Sequence, residues 1–287
     1  MRHSYTAESI VVSSNLWYGS ALSASLTAGV RVLQDLFPAA SSGCEVFVDT
    51  TVHSPKQHRV RDFEPYRNGL RAIRTILEER ASDQLVLLGG GCAASIATVS
   101  YLKRCYRRLR VIWIDAHGDL NTPESSASGY IHGMAIGVIT SNAAHRLFFA
   151  DEGALPYDRV ALVGQKTLDP SESAAIERHS IRRFAAPDFG PLGTFCAAQS
   201  APVYVHLDLD AMHPAVYTNP KCDIRAGIDF DRLVLLLKTI ADNAPIVGIA
   251  IVENAESDKT RVGKVVDAFT TVVPWAARMG ATPGQTI

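Results

Sequence analysis

A chain of 287 residues, 47% hydrophobic and 20% charged, has material for one large core or two smaller ones. Its formal net charge of -1 leaves no global basic field for nucleic acid, and no apolar run approaches the roughly 18 residues of a membrane span. The polar start Met1 to Ser9 lacks a secretory h-region, so a soluble, cytoplasmic protein without nucleic-acid or membrane partners is expected.

In chain order, apolar strand candidates alternate with amphipathic helix candidates. Residues 9–13 read as a strand, 21–37 as a helix, 45–49 as a strand and 66–80 as a helix carrying Leu70, Ile73 and Leu77 on one side. A strand at 85–88, a helix at 94–104, a strand at 111–114 and a helix over 132–148 follow. After a strand at 160–163, Pro170 opens a helix to residue 178, a favourable place for proline. Strands at 181–184 and 203–208, a helix at 230–241, a strand at 246–252 and a helix over 259–278 complete the pattern. Such alternation predicts an α/β fold, a parallel sheet with helices on both faces and ligands beyond the C-terminal strand ends. No linker divides the chain, so a single domain, 1–287, is expected.

The polar clusters fall at those strand ends. Val111 to Ile114 leads into Asp115, His117 and Asp119, which share one face while the backbone stays extended, with about 7 Å between successive positions. The strand at 203–208 ends in Asp208 and Asp210, again at i and i+2. Carboxylates with an imidazole make a ligand set for a pair of hard divalent cations. Gly89-Gly90-Gly91 has neither GxGxxG nor GxxxxGK[ST], so its task is close backbone approach, placing Cys92 at the next helix start, where the thiolate is favoured. The five cysteines, Cys92 among them, lack CxxC spacing and suggest neither disulfides nor a zinc ribbon.

In this order, the Gly-rich turn, DAHGDLNTP (Asp115 to Pro123), SGYIHG (Ser128 to Gly133), the DxD strand and the strand ending near Glu253 resemble the arginase/agmatinase (ureohydrolase) family. The resemblance implies a three-layer α/β/α fold with a central, mostly parallel sheet, two Mn²⁺ per chain that activate water for attack on a guanidinium carbon, and frequent homo-oligomers. It assigns metal to Asp115, His117, Asp119, Asp208 and Asp210, and the substrate's α-amino acid end to Asn121, Ser128 and Asp169. It also implies that His132 moves protons, Asp119 passes one to the leaving amine and Glu253 binds the guanidinium, with Glu256 in reserve.

Three departures matter. Cys92 stands where the family places its sixth ligand, a histidine, and adds a negative charge that makes the centre less Lewis acidic. Val252-Glu253-Asn254-Ala255 is a shortened form of the family's EVNP segment, and residues 218–223, with Cys222 and Asp223, replace a Thr-Gly-Thr-Pro loop. Cys92, HGDLNTPE (His117 to Glu124) and Gly129-Tyr130 are similar to the N-hydroxyarginine amidinohydrolase branch of antibiotic biosynthesis, from which His132 departs. The expected reaction is hydrolysis of N-hydroxy-L-arginine to hydroxyurea and L-ornithine. L-Arginine or another guanidino or formimino acid, an amide hydrolase of the same fold, and a metal-poor pseudoenzyme are the alternatives.

Overall fold

Runs of branched and aromatic residues become strands covered on both sides. The computed structural model describes residues 6–18, 23–37, 43–150, 153–185, 188–217 and 227–278. Among these, eight strands form one sheet: β1 (Thr6–Ser14), β2 (Cys44–Val46), β3 (Ser82–Gly89), β4 (Arg110–Ile114), β5 (Val160–Val163), β6 (Arg182–Phe184), β7 (Val203–Asp208) and β8 (Ile246–Val252). Their order is β2-β1-β3-β8-β7-β4-β5-β6, and every pairing is parallel. All residues of β4, β5, β7 and β8 are buried, as a sheet between two helical layers requires.

The helices are α1 (Ser23–Leu36), α2 (Phe63–Arg80), α3 (Ser95–Cys105), α4 (Ala135–Thr140), α5 (Asn142–Phe148), α6 (Pro170–His179), α7 (Gly190–Ala197), α8 (Phe230–Asn243), α9 (Lys259–Val272) and α10 (Pro274–Arg278). Strand alternation sorts two cores. Leu85, Leu87, Val111, Trp113 and Tyr204 pack with α2 to α5, whereas Val86, Leu88, Ile112, Ile114 and Val205 pack with α1, α7, α8 and α9. This is the expected three-layer α/β/α arrangement, arginase-like in its layering.

Four local expectations need correction. The helix expected over 132–148 is a 3-10 turn followed by α4 and α5, because Ser141 leaves helical geometry and its Oγ accepts from Ala144 N to cap α5. Pro274, which lacks an N–H, divides the last helix into α9 and α10. The second strand is cut to Cys44–Val46, since as an edge strand it pairs only with β1. Helix α7 was not expected: Gly190, Pro191 and Gly193 hide it in the sequence, and burial of Leu192, Phe195 and Cys196 holds it. The 218–223 segment, with Cys222 and Asp223, lies outside the described residues.

Topology positions the cleft. After β3 the chain crosses to β4, leaving a gap in the middle of the sheet that β7 and β8 later fill. The four central strands, β3, β8, β7 and β4, each end at the same edge.

Candidate active site

The strand ends are nearly flush. Ser14 pairs with Gly89, Gly89 with Val252, Val252 with Asp208 and Leu207 with Ile114, so the residues beyond them surround one cleft of about 450 Å³. Cys92, His117, Asp119, Asp208, Asp210 and Glu253 all line it.

The convergence is not produced by extended backbone. β4 stops at Ile114, residues 115–119 bend, and Asp119 takes φ 51°, so Asp115, His117 and Asp119 do not share a face of a continuing strand. A turn brings Asp115 and His117 together, closed by His117 N donating to Asp115 Oδ1 at 2.7 Å, while Asp119 follows on the wall of the same cleft. Asp210 likewise leaves the strand: it sits in the 3-10 turn Leu209–Ala211, where its N–H donates to Asp208 Oδ1 at 2.8 Å.

Two adjoining donor groups result. Asp115, His117 and Asp210 offer ligand atoms within 4.8 Å of one another, with His117 Nδ1 3.0 Å from Asp210 Oδ2 and 3.5 Å from Asp115 Oδ1. Cys92, Asp208 and Glu253 form the second within the same limit. Cys92 Sγ links them, 3.0 Å from Asp208 Oδ2 and 3.8 Å from Asp115 Oδ2. Asp119 is buried on the cleft wall, and its Oδ2 has no hydrogen-bond partner.

Burial, and then the neighbouring carboxylates, raise this cluster's proton affinity. Asp115 is pushed up to about 6 by burial and by Asp210, and Glu253 to about 8 by burial, Asp210 and Asp115. Asp119 and Asp208 rise well above the usual carboxylate range for the same reasons. Burial also opposes ionisation of Asp210, but the hydrogen bond and charge of His117 outweigh it and hold that carboxyl low. His117 is raised well above its ordinary value by its hydrogen bonds to Asp115 and Asp210. The thiolate expected of Cys92 does not form by itself. Burial and then Asp208 push the thiol far up, and Cys92 opens a single 3-10 turn, with α3 starting only at Ser95.

Among the described residues no lysine or arginine lines the cleft. His117 is thus the one cationic side chain set against several buried carboxylates, Asp119 Oδ2 has no partner at all, and oxygens with one imidazole and one thiol are a donor set for divalent cations.

The remaining candidates divide between the cleft and its rim. Asn121 Nδ2 donates to Asp169 Oδ2 at 2.9 Å, while Asn121 Oδ1 accepts from Ser125 and Ser171, so this pair stands as one assembled wall. Ser128 is exposed at the rim, its Oγ accepting from Tyr130 N at 3.3 Å. His132 is stacked between Trp17, at 4.4 Å between centroids, and Tyr130, at 5.4 Å. Burial, then His117, lowers it to about 4, so it is neutral near pH 7, and its Nδ1 has no partner. Glu253 faces the cleft and Glu256 does not; Glu256 Oε1 accepts from Ser257 N and Asp258 N instead.

Several contributors escaped the sequence reading. Glu172 joins the wall by accepting from Leu120 N at 3.0 Å and Asp169 N at 2.9 Å, and the signal for it was the spacing Asp169-x-x-Glu172 of a capping box. Trp17 lies just beyond β1, a strand end that carries no charged residue to mark it. Tyr217 braces Glu253, donating to its carbonyl at 3.0 Å and accepting from Ala255 N at 2.7 Å.

Fold and site together define an α/β/α protein with a buried, acidic, metal-ligating centre at the C-terminal edge of a parallel sheet. The arginase family model matches residues 30–267. An arginase of Staphylococcus aureus strain MRSA252 is 26% identical over 216 residues, 68% of this chain and 72% of that protein. Another, of strain COL, is 29% identical over 178 residues, where the alignment spans 58% of this chain and only 59% of the relative. Among solved structures, Bacillus caldovelox arginase aligns with 98% of this chain and 100% of its own at TM-score 0.72 and 20% identity. Entamoeba histolytica arginase, in complex with L-ornithine, aligns with 93% of this chain and 98% of its own at TM-score 0.75 and 17% identity. The chain belongs to the arginase family, hydrolases of guanidino and amidine groups.

Proposed function

We propose that this chain, working as one domain over residues 1–287, is a dinuclear amidinohydrolase that cleaves the guanidino group of an arginine-like α-amino acid. The observation that carries the reading is the pair of adjoining donor groups, Asp115, His117 and Asp210 beside Cys92 and Asp208, whose carboxylates and thiol are buried. These five residues with Asp119 would hold two divalent ions, and the predominance of carboxylate oxygen favours Mn²⁺ over softer metals. When bound, the ions supply Lewis acidity that makes hydroxide available near neutral pH.

The chain's own residues supply the rest. Glu253, grouped with Cys92 and Asp208, binds the guanidinium nitrogens, and the arriving substrate cation returns its raised carboxyl to the charged form. Asp119 passes a proton to the leaving amine. Neutral His132, fixed by its aromatic stack on the cleft wall, relays protons for the cleft. Asn121 in the wall and Ser128 at the rim receive the substrate's α-carboxylate, and Asp169 receives its α-amino group.

L-Arginine is the substrate that the names of the relatives favour. One observation favours N-hydroxy-L-arginine, giving hydroxyurea and L-ornithine: Cys92 in the cluster. A thiolate there adds negative charge, weakens water activation and penalises the strongly basic guanidinium more than its N-hydroxy derivative. The test is a substrate panel on the Mn²⁺-loaded protein, with urea and hydroxyurea measured. A kcat/KM higher for N-hydroxy-L-arginine supports the Cys92 argument, a higher value for L-arginine rejects it, and no product from any guanidino or formimino acid rejects hydrolysis itself.

A further inference from the structure

His206 lies on β7, two residues before Asp208 and on the same face of the strand, with no surface exposed. Its ring stacks on Trp113 at 3.4 Å between centroids and 3° between planes. The same indole donates Nε1–H to Asp115 Oδ2 at 3.1 Å, so one side chain orients both groups. A ring nitrogen of His206, Cys92 Sγ and an Asp115 oxygen lie within 4.8 Å of one another.

A buried hydrogen-bond chain selects the tautomer. Thr98 Oγ1 donates to Ser95 O at 3.2 Å, which leaves Thr98 to accept from Tyr204 OH at 2.8 Å. Tyr204 OH, its own hydrogen spent, accepts from Ser95 Oγ at 2.9 Å, and Ser95 accepts from His206 Nδ1–H at 2.9 Å. Run this way, every hydroxyl in the chain donates once and accepts once. The reverse order would forfeit the Thr98 bond and leave a buried N–H without an acceptor, the costlier orphan. The imidazole therefore keeps a bare lone pair on Nε2, an atom with no hydrogen-bond partner. A ring nitrogen engaged by a hydroxyl, with the opposite nitrogen bare, is the arrangement of a metal-ligating histidine.

We propose that His206, through Nε2, is a further nitrogen donor to the ion held by Cys92 and Asp115, supplying the imidazole that position 92 lacks. Ser95, with Tyr204 and Thr98 behind it, is then a positioning residue. The inference rests on the dinuclear reading above and adds a ligand to it.

The test counts histidine ligands in the full chain. With [15N]histidine-labelled wild type titrated with Zn²⁺, two of the nine histidines, His117 and His206, should move to metal-bound nitrogen shifts, with His206 assigned by its loss in His206→Gln. Calorimetric titration with Mn²⁺ should give two sites in wild type, one of them at least tenfold weaker in His206→Gln, and a smaller loss in Ser95→Ala, where the imidazole remains but is no longer oriented. A single shifted histidine, or two wild-type Mn²⁺ affinities in His206→Gln even with a lowered Tm, overturns the inference and leaves the dinuclear reading intact. No uptake of either ion by wild type overturns both.

Discussion

Glu253 holds its backbone at φ 59°, a conformation that costs a non-glycine residue on the order of 1 kcal/mol, and places a carboxyl among other buried acids. Both features oppose folding, which is the signature of a residue retained for chemistry. Glu253→Gly should therefore raise the Tm of the metal-free protein while lowering guanidino hydrolysis at least a hundredfold; a loss of stability would mean that the carboxyl is structural. At Cys92 the expectation concerns selectivity. Cys92→His removes one negative charge from the centre, so kcat/KM for L-arginine should rise relative to that for N-hydroxy-L-arginine, and an unchanged ratio would break the link between the thiol and the substrate. At this scale much of the site was legible, because Asp, His and Cys beyond apolar runs have few other uses. A turn, not extended backbone, gathers the cluster, and the bend after Ile114 and the left-handed Asp119 leave no trace in residue spacing. His206 and Trp17 were missed because each sits among apolar neighbours that give a buried aromatic ring an ordinary explanation.

Two close approaches at glycines set the loops that carry the site. A Cβ at Gly29 of α1 would lie 1.6 Å from the Asn254 carbonyl oxygen, where Asn254 Nδ2 also donates to Gly29 O at 3.0 Å. One at Gly137 of α4 would lie 2.0 Å from the Asn121 carbonyl oxygen. Alanine at either position should cost about 2 kcal/mol or more, read as a lowered Tm. The two variants should then part: Gly29→Ala displaces the Glu253 loop and lowers turnover with two ions still bound, whereas Gly137→Ala shifts the Asp119–Asn121 segment and weakens metal uptake. Equal metal affinities in both would argue against this division. The strands were legible because double burial demands continuous apolar runs, and β5, β7 and β8 have the bounds that their sequences suggest. The helices were less so where tertiary contacts override local preference, in α7 with its two glycines and proline and at Ser141, whose capping interrupts an otherwise helical pattern.

For the whole molecule, the acidic centre makes stability depend on pH and on metal together. Between about pH 6.5 and 8 the folded, metal-free protein retains protons on Glu253, raised from 4.5 to about 8, and on His117, raised from 6.5, which the unfolded chain has released. The folded state binds more protons in that window, so its stability falls as pH rises. His132 and His206, whose proton affinities are lowered by burial, act with the opposite sign but chiefly below pH 6.5. Thermal melts with chelator should therefore show a lower Tm at pH 8 than at pH 6.5, and excess Mn²⁺ should reverse the trend, because deprotonated ligands bind the cation. A metal-free Tm that climbs over this interval would contradict the charge distribution described.

Crystals grown with Mn²⁺ and measured for anomalous scattering address the dinuclear centre most directly. Two peaks are predicted, one against Asp115, His117 and Asp210 and the other against Cys92, Asp115 and Asp208. A single peak, a pair of peaks elsewhere, or none at saturating Mn²⁺ would contradict the account.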